Sequence, residues 1–81
     1  MELLDTVELM FSDDYKERFR AEYLQLKIRH DKLKTMVEKY EDGTLDFTPK
    51  CELNTLKEQL YRMEGYMYIL EVRANVEGIE L

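Results

Sequence analysis

The sequence predicts an all-α protein: an antiparallel two-helix hairpin with a short N-terminal helix, self-associating into a helical bundle. Three observations lead there. Phe19, Tyr23, Leu26, His30, Leu33, Val37 and Tyr40 recur at alternating steps of four and three, which places all seven on one seam of a helix. Leu53, Leu56, Leu60, Met63, Met67, Leu70 and Ala74 repeat the same rhythm and form the matching seam. Between the two seams stand the helix-ending pair Asp42-Gly43 and the helix-starting pair Thr48-Pro49. A connection this short makes the two helices antiparallel neighbours.

In chain order, residues 1–11 carry Leu3, Leu4, Val7, Met10 and Phe11 as a short apolar stripe at helical spacing. A helix that short is unstable alone and has to dock on another element. The first long helix spans 14–40, with Asp14 as N-cap and Glu17 three residues on at capping-box spacing. No proline or glycine interrupts it, and at about 1.5 Å per residue it is roughly 40 Å long. Leu24 and Ile28 form a small apolar patch away from the seam, suited to the N-terminal segment or to another subunit. Residues 41–49 connect the helices, with Leu45 and Phe47 expected to tuck against the open end. The second long helix spans 50–77, with Thr48 as N-cap, Pro49 at the first turn and Cys51 as a small apolar residue near its start. Residues 78–81 form a tail after Gly78.

The second helix is apolar over a wide arc. Tyr61, Gly65, Tyr68, Val72 and Val76 make a further stripe beside its seam. A glycine inside a helix costs about 1 kcal/mol against alanine. Gly65 reads either as a close approach of another backbone or as drift at a tolerant position; on the first reading Leu24, Ile28, Tyr61, Gly65, Tyr68 and Val72 are the expected oligomer interface. Length argues the same way. The 81 residues make one domain, 1–81, of 9.8 kDa. A compact globule of that mass exposes about 5,200 Å². A two-helix rod exposes more, so further burial is expected from a homo-oligomer.

The formal charge is −6, which argues against general binding to duplex nucleic acid. The charge is uneven, however: Lys16, Arg18, Arg20, Lys27, Arg29, Lys32, Lys34 and Lys39 make the first long helix basic. No apolar run approaches 18 residues, and no secretory leader pattern is present, so no membrane partner is expected and a reducing cytoplasm is the default compartment. The single cysteine, Cys51, has no partner for an internal disulfide.

Catalysis requires a convergent set of groups, and the sequence offers none. The single histidine, His30, falls on the hydrophobic seam, where a structural imidazole is expected. The carboxylates are scattered, without histidine partners at metal-ligand spacing. The three glycines sit far apart and form no phosphate loop. The expected catalytic set, metal set and cofactor set are all empty, and the chain reads as no enzyme. Binding is better supported: six tyrosines with no tryptophan supply amphipathic contact surface. Tyr15, Tyr23 and Tyr40 alternate with Arg20, Lys27 and Arg29, and these six are the candidate residues for an aromatic, anionic ligand. The same tyrosines would equally serve as core fillers with hydroxyls at the edge.

The runs DYKERFRAEYLQLKIRHDKLKTMVEKYEDGTLDFTPKC and LKEQLYRMEGYMYILEVRANVEGIEL, with the LDFTP connection and the EVRANVEGIEL ending, carry a resemblance. Over residues 13 to 81 the chain resembles small phage and prophage proteins related to a crAss-like phage gene product. The resemblance implies a phage setting, hence the cytoplasm of an infected bacterial host, and assigns no site residue. Two expectations follow. One is a counter-defence protein that sequesters a nucleotide-derived immune signal between subunits of a homo-oligomer. The other is a helical protein–protein interaction inhibitor or adaptor acting on a host protein; a structural virion component stands behind both.

Overall fold

A computed structural model describes all 81 residues. Leu3–Thr6 form a single 3₁₀ turn that runs into a one-turn helix, α1 (Val7–Met10). Two long helices follow, α2 (Tyr15–Asp42) and α3 (Leu53–Glu77). Helices α2 and α3 pack as a hairpin, and the N-terminal segment lies on α2. The molecule is a rod of 43 × 24 × 16 Å with a radius of gyration of 15.0 Å, against about 12 Å for a compact chain of this length. No helix is long and apolar enough to cross a membrane.

Both seams face inward. Phe19, His30 and Val37 of α2 are buried and the remaining seam residues half-buried; on α3, Leu56, Leu70 and Ala74 are buried. The tightest packing lies at the end away from the connection, where Phe19, Leu70, Ala74 and Ile79 form the core and Tyr23 and Leu26 pack against it. Ile79 belongs to the tail. Gly78, at φ 73°, adopts the left-handed conformation open to glycine. That turn lets Ile79 donate its N–H back to the Ala74 carbonyl at 2.8 Å and drop its side chain onto Phe19. Gly43, at φ 76°, ends α2 in the same way, and the Thr44 N–H reaches the Lys39 carbonyl at 2.9 Å.

Four expectations change. The expected 1–11 helix is a 3₁₀ turn joined to a single α-turn, because the Asp5 carboxylate takes the Glu2 N–H and the Thr6 hydroxyl donates to the Leu3 carbonyl at 2.7 Å. These local bonds tighten the chain. At the start of α2, Asp14 does cap, accepting from the Lys16 N–H at 2.9 Å, but no reciprocal box forms. The Asp14 N–H is taken by the Ser12 hydroxyl instead of Glu17. The second long helix begins at Leu53 with Glu52 as its N-cap residue, three residues later than the expected 50. A turn made of Pro49, Lys50, Cys51 and Glu52 would bring no seam leucine to α2, and an unpacked turn gains too little to form. Cys51 accordingly stands exposed before the helix. Helix α2 also continues two residues past Tyr40, to Asp42.

The back of α2 is where the N-terminal segment docks. Thr6 is completely buried and its hydroxyl accepts from the Gln25 amide at 3.0 Å. The same amide contacts the Met10 sulfur. Ala21, one turn before Gln25, is buried, and Leu24 and Ile28 are half-buried on this side. Helix α2 is thus covered on two sides and α3 on one.

Candidate functional site

Aromatic hydroxyls and carboxylates pair across the hairpin at regular intervals. The Tyr15 hydroxyl donates to Glu77 at 2.9 Å and accepts from the Arg73 guanidinium at 2.8 Å. The Tyr23 hydroxyl donates to Glu71 at 2.7 Å, and that of Tyr66 donates to Glu22. The hydrogen bond from Glu71, then burial, pushes the Tyr23 pKa up to about 12. Hydrogen bonds to Glu77 and Glu22 likewise raise those of Tyr15 and Tyr66. Each carboxylate stabilises the protonated phenol because only that form donates.

His30 closes the same series on the side toward the connection. Its Nε2 lies 2.9 Å from Glu64 on α3 and its Nδ1 3.0 Å from Asp31 on α2. Burial works against the charged ring, but the hydrogen bonds to Asp31 and Glu64 outweigh it, and the pKa lies above the ordinary histidine value. The bond from His30 holds the Asp31 carboxyl below its usual range. Lys27 adds to this, lying 3.4 Å from Asp31. The imidazole is a cross-link between helices, with both nitrogens committed to carboxylates.

The six candidate ligand residues do not converge on one pocket within the subunit. Tyr15 and Tyr23 spend their hydroxyls on α3. Arg20 donates to the Glu80 carbonyl at 2.7 Å and pins the tail. Arg29 is exposed. Tyr40 sits at the connection, beside a cleft of about 160 Å³ shared with Gly43, Leu45, Phe47, Thr48 and Pro49. Leu45 is half-buried there, while Phe47 stays largely in water.

Lys27 alone of the six reaches a larger cleft. Met1, Leu24, Lys27, Ile28, Asp31 and Lys32 enclose about 310 Å³ between the N-terminal segment and α2. Leu24, Ile28 and Met1 supply its apolar lining, and Lys27, Lys32 and Asp31 its charged lining. Lys32 also reaches Glu2 of the N-terminal segment at 3.1 Å. The cleft joins one candidate ligand residue to two candidate interface residues. The sequence names Lys32 only as part of the basic row and Met1 not at all, although Lys32 follows Ile28 by one helical turn and that spacing was legible. A third cleft, about 240 Å³, lies between α2 and α3 and is bounded in part by Tyr61 and Glu64.

The other interface candidates lie on the outer face of α3. Tyr61, Gly65, Tyr68 and Val72 are all exposed. Arg73, also missed from sequence, holds the tail end together: its guanidinium lies 5.0 Å from the centroid of the Phe19 ring and pairs with Glu77.

A family model described as Sequestin matches residues 13–76, which takes in α2, the connection and nearly all of α3. The chain belongs to the Sequestin family. The Sequestin match begins at Asp13, after the N-terminal segment, and covers both helices of the hairpin up to Val76. No curated protein and no solved structure matches the chain.

Proposed function

We propose that this Sequestin-family chain is a non-enzymatic, phage-encoded binding protein that sequesters a nucleotide-derived immune signal in the cytoplasm of the infected host. The family name itself speaks for a sequestering binding protein. The observation that supports the ligand class is a cleft whose lining sets the apolar Leu24 and Ile28 beside two ammonium groups, Lys27 and Lys32, against one carboxylate, Asp31. An aromatic base packs on the aliphatic lining, and lysines pair with phosphate oxygens as point charges. At about 310 Å³ the cleft is at the small end of ligand pockets, which run from about 300 Å³ to about 1,000 Å³. A nucleotide seated there leaves one side uncovered, and a second subunit of a homo-oligomer supplies the remaining wall. Arg29, exposed one residue beyond Ile28, is available to such a shared site.

The test is calorimetry of the purified protein against cyclic dinucleotides and ADP-ribose-type signals. Binding with recovery of the unmodified ligand after denaturation is the expected result, and a Lys27→Glu, Lys32→Glu double variant should lose it. Silence across the panel rejects the reading. A second reading, inhibition of or adaptation to a host protein, draws on the exposed apolar face of α3. A stoichiometric host protein recovered with the chain from infected cells would favour it.

A further inference from the structure

The outer face of α3 carries more apolar surface than the fold has a use for. Tyr61, Tyr68 and Val72 are 67%, 62% and 42% exposed, and Val76, one turn further, is 80% exposed. From Tyr61 to Val76 the stripe runs about 22 Å along the helix. It lies off the buried seam of Leu56, Leu70 and Ala74, with Tyr61 alone of its residues also bordering the cleft toward α2, and no element other than α2 packs on α3. Gly65 stands within it, and a Cβ built there would meet nothing within 4 Å. Nothing inside the subunit therefore requires a glycine at a helix-interior position where almost any other residue is more favourable. Local rules broken without an internal reason point to a contact outside the subunit.

The stripe is also self-complementary. Tyr61, Gly65, Tyr68 and Val72 are separated by steps of four, three and four, an order that reads the same in both directions. An antiparallel second copy brings Gly65 opposite Tyr68 and Tyr61 opposite Val72. Every layer then sets a large ring against a smaller residue, the arrangement that lets two helices approach closely. The area agrees. The subunit exposes 6046 Å², about 850 Å² more than a compact chain of its mass. One partner in a standard interface loses about 800 Å².

We propose that α3 pairs with α3 of a second copy as an antiparallel, two-fold dimer centred between Gly65 and Tyr68. This rests on the reading of the protein as a homo-oligomer and specifies which face makes the pair. The pairing leaves the cleft of Leu24 and Ile28, on the far side of α2, open for ligand and for a further subunit contact.

The experiment uses the full chain without nucleotide, so its outcome is independent of whether any signal binds. Sedimentation velocity and native mass spectrometry should show a species of at least twice the chain mass at micromolar concentration. Gly65→Lys should weaken this association at least tenfold while far-UV circular dichroism stays at or above the parent level, because lysine is the better helix former. Orientation is read by oxidation in a Cys51→Ser background. Mixed Tyr61→Cys and Val72→Cys subunits should cross-link at least tenfold faster than either variant alone, since a disulfide needs Cα atoms within about 7 Å. A monomeric parent overturns the proposal, as does an oligomer indifferent to Gly65→Lys. Faster self-cross-linking of Tyr61→Cys shows parallel pairing and overturns it equally. A monomer whose α3 stripe is occupied by a host protein hands the face to that partner.

Discussion

Helices α2 and α3 face opposite situations. Helix α2 carries the denser charge yet is covered on both sides, by α3 along its seam and by the N-terminal segment along its back. Helix α3 has the wider apolar arc yet shows half of it to water. The difference teaches that cover is assigned by where connected segments can reach, not by which helix is most apolar. The N-terminal segment joins α2 through the short turn at Phe11–Asp14 and folds back onto the helix it precedes. Thr6 and Gln25 then fix it there with a buried polar contact. No comparable segment adjoins the outer face of α3: the tail after Gly78 is spent on the Phe19 end of the core.

The comparison breaks most severely at the one surface the two helices share. Leu70, 1% exposed, packs with Phe19, Ala74 and Ile79. Leu70→Ala should cost about 2–5 kcal/mol, read as a lower midpoint in urea, and in so small a domain it should leave little folded chain at 37 °C. Next is the back of α2. Thr6→Val removes the donor to Leu3 and the acceptor for Gln25, and should cost about 1–3 kcal/mol. Hydrogen exchange should speed up in residues 3–10 before it does in the α2–α3 core; uniform protection across the chain would show that the segment is not a separate strap.

The central cross-link sharpens the picture through pH. His30 has a raised folded pKa, so the folded state binds a proton that the unfolded chain has begun to release. Its contribution is complete below the unfolded value of about 6.5 and is lost as pH rises through the folded value. Asp31 and Glu64 both face the ring, and Lys27 faces Asp31. Stability measured from pH 5.5 to 8.5 should fall, and His30→Gln should flatten that slope; an unchanged slope means that the dependence lies elsewhere. The smallest effect belongs to the outer face of α3. With association suppressed by dilution, Tyr61→Gln should change unfolding stability by no more than about 0.5 kcal/mol. A larger loss in the monomer would mean that the face is covered within the subunit.

Much of the fold was legible because its cause is periodic. Phe19, His30 and Val37 on one helix and Leu56, Leu70 and Ala74 on the other occur at spacings that only a buried helix seam explains. Gly43 and Gly78 end their helices as their left-handed conformations require. The start of α3 was misread because Thr48-Pro49 is a sound local start signal, while the helix begins only where Leu53 can reach α2. The candidate site was less legible. Tyr15 and Tyr23 have the residue types of a ligand platform, but a hydroxyl's partner depends on which carboxylate lies across the hairpin, and sequence spacing on one helix says nothing of Glu77 or Glu71. The cleft shows the same limit: Lys27 and Lys32 flank Leu24 and Ile28 on α2, but only the docked N-terminal segment supplies the opposite wall.

By itself the sequence determined two amphipathic helices, the glycines that stop them and their inward faces, because helical period and the special backbone freedom of glycine act within a few residues. The tertiary structure decided which faces received cover: the strap across the back of α2, the return of Ile79 into the core, the commitment of tyrosine and histidine to opposing carboxylates, and the bare stripe on α3. Those outcomes depend on how far each segment reaches in space once the hairpin closes, and that reach is not a property of any one segment.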